Sequence, residues 1–198
     1  MNDTNTMNGS ATTRQYRPKL EFFHQNMKGT GSAASMDLHP AHDNTSGSIM
    51  LKLARQTVIA DRNGPSPTFA RFDWEHAVCV KLDFSDLCQI LQVLHGACEA
   101  AGPDGRGLYH KSPSGATRIS FRHNVEPSSS YAINVNKTLA NGGEQSAYIV
   151  FTPAEALGLC KAIEGSMSVI AFGIPMVIPH DTTAYREKAR SVRENGLG

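Results

Sequence analysis

The chain has 198 residues, 40% of them hydrophobic and 19% charged, with a formal net charge of +1. That length predicts one domain of about 150 to 170 residues with tails, enough to bury a real core. The small net charge leaves any nucleic-acid signal to local clusters, and no apolar run reaches the ~18 residues of a membrane span.

Residues 1–18 are Asn-, Thr- and Ser-rich without the apolar centre of a signal peptide, and are expected to be a disordered tail. The folded domain is expected over 19–175, with a second tail over 176–198. Leu20, Phe22 and His24 alternate onto one face of a first strand. In "NMKGTGSAASMDLHP" Lys28 precedes both Gly29 and Gly31, so the stretch fails as a phosphate-binding loop and reads as a turn into a second strand, Ser32 to Leu38. "GSIMLKLARQ" gives a third strand, with Ile49, Leu51 and Leu53 opposite Met50 and Lys52. After a loop, "FDWEHAVCVKLD" gives a fourth, with Val78, Val80 and Leu82 on one side.

The period then becomes helical. Leu87, Ile90, Leu91, Leu94 and Cys98 share a stripe, Asp83 can cap the helix with Asp86 three residues on, and "AGPDG" is expected to stop it. Four more strands follow, at Leu108 to Lys111, Thr117 to His123, Tyr131 to Lys137 and Ala147 to Phe151. "TPAE" opens a second helix, with Thr152 as cap, Pro153 in the first turn and Glu155 completing a capping box. Its expected stripe is Leu157, Cys160, Ile163 and Met167. A shift of 69 residues superposes Asp83 on Thr152, Asp86 on Glu155, Ile90 on Leu159 and Leu94 on Ile163. The same shift places Gly96 on Gly165, read as mid-helix glycines. The fold class is therefore α+β, a duplicated β4α unit with two antiparallel four-stranded sheets and two helices.

This layout resembles the Whirly family of single-stranded DNA-binding proteins. "KGTGSAASMDLHP" is similar to the family's second-strand motif, although Thr30 or Gly31 stands where the family has a second lysine. "FDWEHAVCVKLDFSDLCQIL", "LYHKSPSGATRISFRHNVEPSSSYAINVNKTL" and "SAYIVFTPAEALGLCKAIEGSMSVIAFG" resemble the family's fourth strand with first helix, later strand block, and last strand with final helix. The resemblance spans Lys19 to Pro175 and implies a homotetramer assembled around its helices, with higher assemblies open. Ile90, Leu94, Ile163, Met167 and Ile170 are the expected subunit interface.

Sequence-tolerant binding of single strands needs cations for phosphates and flat side chains for bases. Between Gly105 and Ala140 stand Arg106, Lys111, Arg118, Arg122 and Lys137 against one acid, Glu126, a local charge of +4. Tyr109, His110, Phe121, His123 and Tyr131 are interleaved with them, Phe121 reading as core. The expected contact set is Lys28, Lys52, Arg71, Trp74, Tyr109, Lys111, Arg118, Arg122 and Lys137. Arg118 and Arg122 are expected on one face roughly 7 Å apart, near the phosphate spacing of an extended strand. The competing reading makes these charges ordinary solvated strand faces. RNA is the alternative partner, and a scaffold without nucleic acid the alternative class.

No enzyme motif appears, and no cofactor or metal is expected. The candidates His39-x-x-His42 with Asp43, and His180-Asp181, are too isolated to count as ligand sets. Cys79, Cys88, Cys98 and Cys160 form no C-x-x-C pair and read as reduced, mostly buried thiols. A cytoplasmic location follows as an expectation, at the nucleoid in a bacterial cell.

Overall fold

The computed structural model describes residues 19–42, 44–61 and 66–173. Both expected tails, Asp43, His180-Asp181 and the last residues of the expected domain lie outside that set.

The first sheet runs β1 (Leu20–His24), β2 (Ser32–His39) and β3 (Ser48–Val58), each antiparallel to the next. The expected fourth strand is split. β4 (Arg71–Phe72) and β5 (Val78–Leu82) pair with the same edge of β3, β4 at Gln56 and Val58 and β5 from Leu53 to Ile49. Between them the segment from Asp73 to Ala77 faces only Ala54 and Arg55, so the excess chain bulges out of the ladder. Helix α1 (Phe84–Leu94) follows. The second sheet is β6 (Leu108–Ser112), β7 (Gly115–Asn124), β8 (Ser130–Leu139) and β9 (Glu144–Phe151), a simple antiparallel meander, and α2 (Pro153–Phe172) closes it.

The duplication holds in its caps. Asp83 and Thr152 each accept a hydrogen bond from the backbone N–H of the third helical residue, and Asp86 and Glu155 accept one back from the cap N–H. The glycine pair does not match in role. Gly96, at φ +73°, donates to Val93 while Ala97 donates to Gln92, the paired hydrogen bonds of a Schellman stop. α1 therefore ends at Leu94, ahead of the expected "AGPDG", and leaves half-buried Cys98 beyond the helix. Gly165 does lie inside α2. Leu157 is 62% exposed and leaves the expected stripe; Ala156, Leu159, Cys160, Ile163 and Ile170 are the buried positions.

Pleating sorts each sheet into two faces. Leu20, Met36, Leu51 and Val80 form one row across the first sheet, with Phe22, Ala34, Leu53 and Val78 beside it. On the second sheet the matching rows are Leu108, Ile119, Val135 and Ala147, then Phe121, Ile133 and Ile149. These inner faces, with Leu87, Ile90, Leu159 and Ile163 from the helices, make one continuous core. Phe22 meets Phe151 edge-on at 4.9 Å between ring centroids, joining the first strand of one unit to the last strand of the other. The units also exchange polar contacts. His24 of β1 bonds Glu155 of α2 at 2.7 Å, and His110 of β6 bonds Asp86 of α1 at 3.0 Å. Each first-strand histidine thus holds the capping carboxylate of the other unit's helix.

Candidate nucleic-acid interface

With the inner faces buried, the outer faces are what the two sheets present to solvent. On the first sheet, Glu21, Ser35, Lys52 and Cys79 form one outward row, and Phe23, Ala33 and Ala54 the next. Ala33, Ala54 and Ser35 are nevertheless buried, because small side chains lie in a trough beneath long neighbours. Over that trough Phe23 meets Phe72 at 5.6 Å and Trp74 at 6.3 Å, the latter edge-on. Phe23 is 52% exposed and Trp74 37%, so the cluster offers ring surface to solvent.

The bulge delivers Trp74 to this place. Asp73 accepts hydrogen bonds from the His76 backbone N–H and ring, which fold the segment into a tight turn and hold the Asp73 carboxyl below its usual range. Lys28 sits in the β1–β2 turn, where Asn26 Oδ1 accepts from the N–H groups of Lys28 and Thr30. Buried Gln56 accepts from the N–H groups of Asn26 and Gly31. At Gly31 a Cβ would run into the His24 carbonyl oxygen and Gln56 Oε1. The glycine therefore serves close approach to a neighbouring backbone.

The second outer face is basic and aromatic as well. Tyr109, Arg118, Asn136 and Ser146 make one row, Ser120, Asn134 and Tyr148 the next, and Arg122, Ala132 and Val150 a third. Tyr109 and Tyr148 are 59% and 56% exposed. Arg122 also donates to the Gly105 carbonyl at 3.3 Å. Between the two sheets lies a cleft of about 320 Å³ lined by Arg55, Asp73, His76, Gln145 and Ser146 among others. Arg55 crosses it to the Ser146 carbonyl.

Several expected contacts are corrected by this geometry. Lys137 lies in the row of His110, Thr117 and Gln145, on the opposite face from Arg118 and Arg122, because odd and even positions of β8 point to opposite sides. Arg118 and Arg122 do share a face, but they are four positions apart, about 13 Å at strand rise and not 7 Å. Lys52 is paired with Asp37 at 3.4 Å, which also attracts Lys19. Of the interleaved aromatics only Tyr109 points outward. His110 turns to Asp86, Phe121 is fully buried, and His123 stacks on Tyr131 at 4.4 Å. Lys28, Arg71, Lys111 and Arg118 are exposed and form no ion pair among the described residues. The sequence reading missed Phe23, Phe72 and Tyr148. The signal for Phe23 was present, since it alternates with Phe22 and so must face away from the core.

The residues expected at a subunit interface are largely covered within the single chain. Ile90, Ile163 and Ile170 are each 2% exposed inside the single chain, and Leu94 and Met167 are half-buried, because the two sheets and the opposite helix already cover them.

No family model matches the sequence, and no curated protein does. Solved structures do match. WHY1 from Arabidopsis thaliana superposes with a TM-score of 0.61 at 14% identity, over 92% of this chain and 94% of its own. WHY3 from the same plant gives 0.55 at 15%, over 91% and 99%. The chain has the Whirly-like fold. The plant transcriptional regulator PBF-2 gives 0.58 at 15% identity, over 80% of this chain and 84% of its own. At these identities the Whirly-like likeness is one of architecture. The aromatic and basic side chains of the two outer faces are this chain's own evidence.

Proposed function

We propose that this protein binds single-stranded DNA with little sequence preference and acts on exposed strands in replication, recombination or repair. The observation that carries the reading is the half-exposed Phe23–Phe72–Trp74 cluster on the outer sheet face that also carries Lys52. Stacking platforms beside phosphate-binding cations are what sequence-tolerant single-strand binding requires. The cross-strand pair Tyr109–Arg118 repeats the combination on the second sheet. A solved neighbour described as a transcriptional regulator supports a nucleic-acid role. The role is binding, without catalysis. A cytoplasmic location, at the nucleoid in a bacterium, belongs to the same proposal.

A homotetramer is part of it, through a different helix surface from the one expected. Ala154, Leu157, Gly158, Gly165, Ser168 and Phe172 are all exposed along α2, interrupted by a single charge, Lys161. An added Cβ at Gly158 or Gly165 meets nothing within 4 Å, leaving room for a second helix to approach closely.

Fluorescence anisotropy with dT and rU oligomers and a duplex of equal length tests the binding. Preference for dT over duplex, weakening steeply with salt, supports it. Tighter binding to rU would move the reading to RNA, since only 2′-hydroxyl contacts separate the two. No binding to any of them would overturn it in favour of a scaffold.

A further inference from the structure

Where α1 ends against the middle of α2, an imidazole, a thiol and a carboxylate meet: His95, Cys160 and Glu164. We propose that these three side chains bind a thiophilic divalent d-block cation, Zn²⁺ foremost, between the two helices. One ligand atom from each lies within 4.8 Å of the other two. Tetrahedral zinc, with bonds of about 2.0 Å to nitrogen and oxygen and 2.3 Å to sulfur, sets its ligand atoms about 3.5 Å apart. Rotamer adjustment closes that difference.

The sequence builds the site in two steps. Cys160 and Glu164 are four residues apart on α2, so they project from one face, the spacing by which a single helix offers two ligands to one ion. His95 caps α1, and the Schellman stop at Gly96 fixes where it ends. His95 and Glu164 are separated by the 69-residue offset of the duplication. Equivalent positions of the two units thus touch where their helices meet.

The surroundings suit a cation. The last turn of α1 holds no basic residue, so the negative end of that helix is uncompensated there. Lys161 Nζ donates to Glu164 Oε2 at 2.8 Å, while Oε1 faces His95 Nε2 at 2.8 Å. An outer hydrogen bond of that kind orients a ligating carboxylate. Lys161 itself is 69% exposed, so solvent screens its charge. The mixed nitrogen, sulfur and oxygen set favours zinc over magnesium or calcium, which take oxygen ligands. Three protein ligands leave a fourth position for water on the side where His95 is 52% exposed. On binding, the Cys160 thiol gives its proton to solvent.

The inference does not depend on nucleic-acid binding, and its test needs no DNA. The full chain, stripped with a chelator, is titrated with Zn²⁺ alone and with Co²⁺ alone. One zinc per chain in native mass spectrometry is expected, and a thiolate-to-cobalt charge-transfer band in the near ultraviolet. Cys160→Ser should abolish the band, whereas Cys88→Ser should keep it. Glu164→Gln changes a partly exposed side chain, so folding should persist by circular dichroism while zinc affinity falls at least about tenfold. A parent protein without the band, a band surviving in Cys160→Ser, or unchanged zinc affinity in Glu164→Gln would overturn the site. Each of those results would leave only an ion-pair network of His95, Glu164 and Lys161.

Discussion

Trp74 and Lys137 make the sharpest contrast between single residues. Trp74 lies in the exposed aromatic cluster, and a base stacked on an aromatic ring contributes about 1–3 kcal/mol. Trp74→Ala, like Phe23→Ala, should therefore weaken binding to dT oligomers about 5- to 150-fold, read by anisotropy. Lys137→Ala should leave affinity nearly unchanged, because its side chain leaves β8 on the other face. Equal losses from both would mean that the two outer faces are not the binding surface. Arg118→Ala should weaken every sequence alike and lower the salt slope by about 0.7, the release expected for one single-strand phosphate contact. Gly31→Ala belongs to stability: the added Cβ meets a carbonyl oxygen, so a cost of about 1–3 kcal/mol is expected in urea melts. Much of this surface was legible. Alternation fixed the faces of Arg118 and Phe121, but nothing local told that Lys52 faces Asp37 from the neighbouring strand. The Phe23–Phe72 contact was equally hidden, because it joins residues far apart in the chain.

At the level of elements, the caps were readable because their chemistry is local. Thr152 and Glu155 are three residues apart and meet in the capping box the sequence spells. The stop of α1 was also local, a His-Gly pair, but the proline-glycine cluster further on gave a louder signal and hid it. The split of the fourth strand was not readable, since it depends on how many residues β3 offers opposite Asp73 to Ala77. The second cap carries a pH dependence. Burial pushes the Glu155 carboxyl up, but hydrogen bonds from His24 and Thr152 outweigh it and hold the group below its ordinary 4.5. A depressed carboxylate contributes stability that is full above the unfolded value and lost as pH falls through the folded one. Glu155→Gln should thus be less stable than the parent near pH 7, by about 1 kcal/mol as for other caps. The gap should close as pH falls below the ordinary 4.5 and through the group's lowered value, where the parent's carboxylate takes up its proton. Melting curves of both proteins between pH 7 and 3 check the sign; a gap that widens in acid would refute it.

For the whole molecule, the two units share one core and exchange histidine–carboxylate contacts, so the inner face of each helix is already occupied within the chain. Sequence reading saw apolar helices and inferred surplus surface, but it could not apportion that surface between the chain's own sheets and another subunit. The burial pattern shows which part of it the chain itself covers. Ile163 is 2% exposed within one chain and Leu157 is 62% exposed on the same helix. A glutamate at a buried position leaves an unpaired charge in a low-dielectric core, which costs several kcal/mol, a large share of a domain's total stability. Ile163→Glu should therefore lose its cooperative thermal transition and report nothing specific about assembly. Leu157→Glu changes a solvated position, where the cost to the monomer is about 0.5 kcal/mol or less. It should keep its circular dichroism spectrum and melting cooperativity, while light scattering at micromolar concentration should show a mass below the tetramer proposed for the parent. If Leu157→Glu keeps the parent mass, the exposed stripe of α2 is not the contact. If the parent itself scatters as a monomer, the tetramer is wrong, and the stripe is simply the solvated side of a helix.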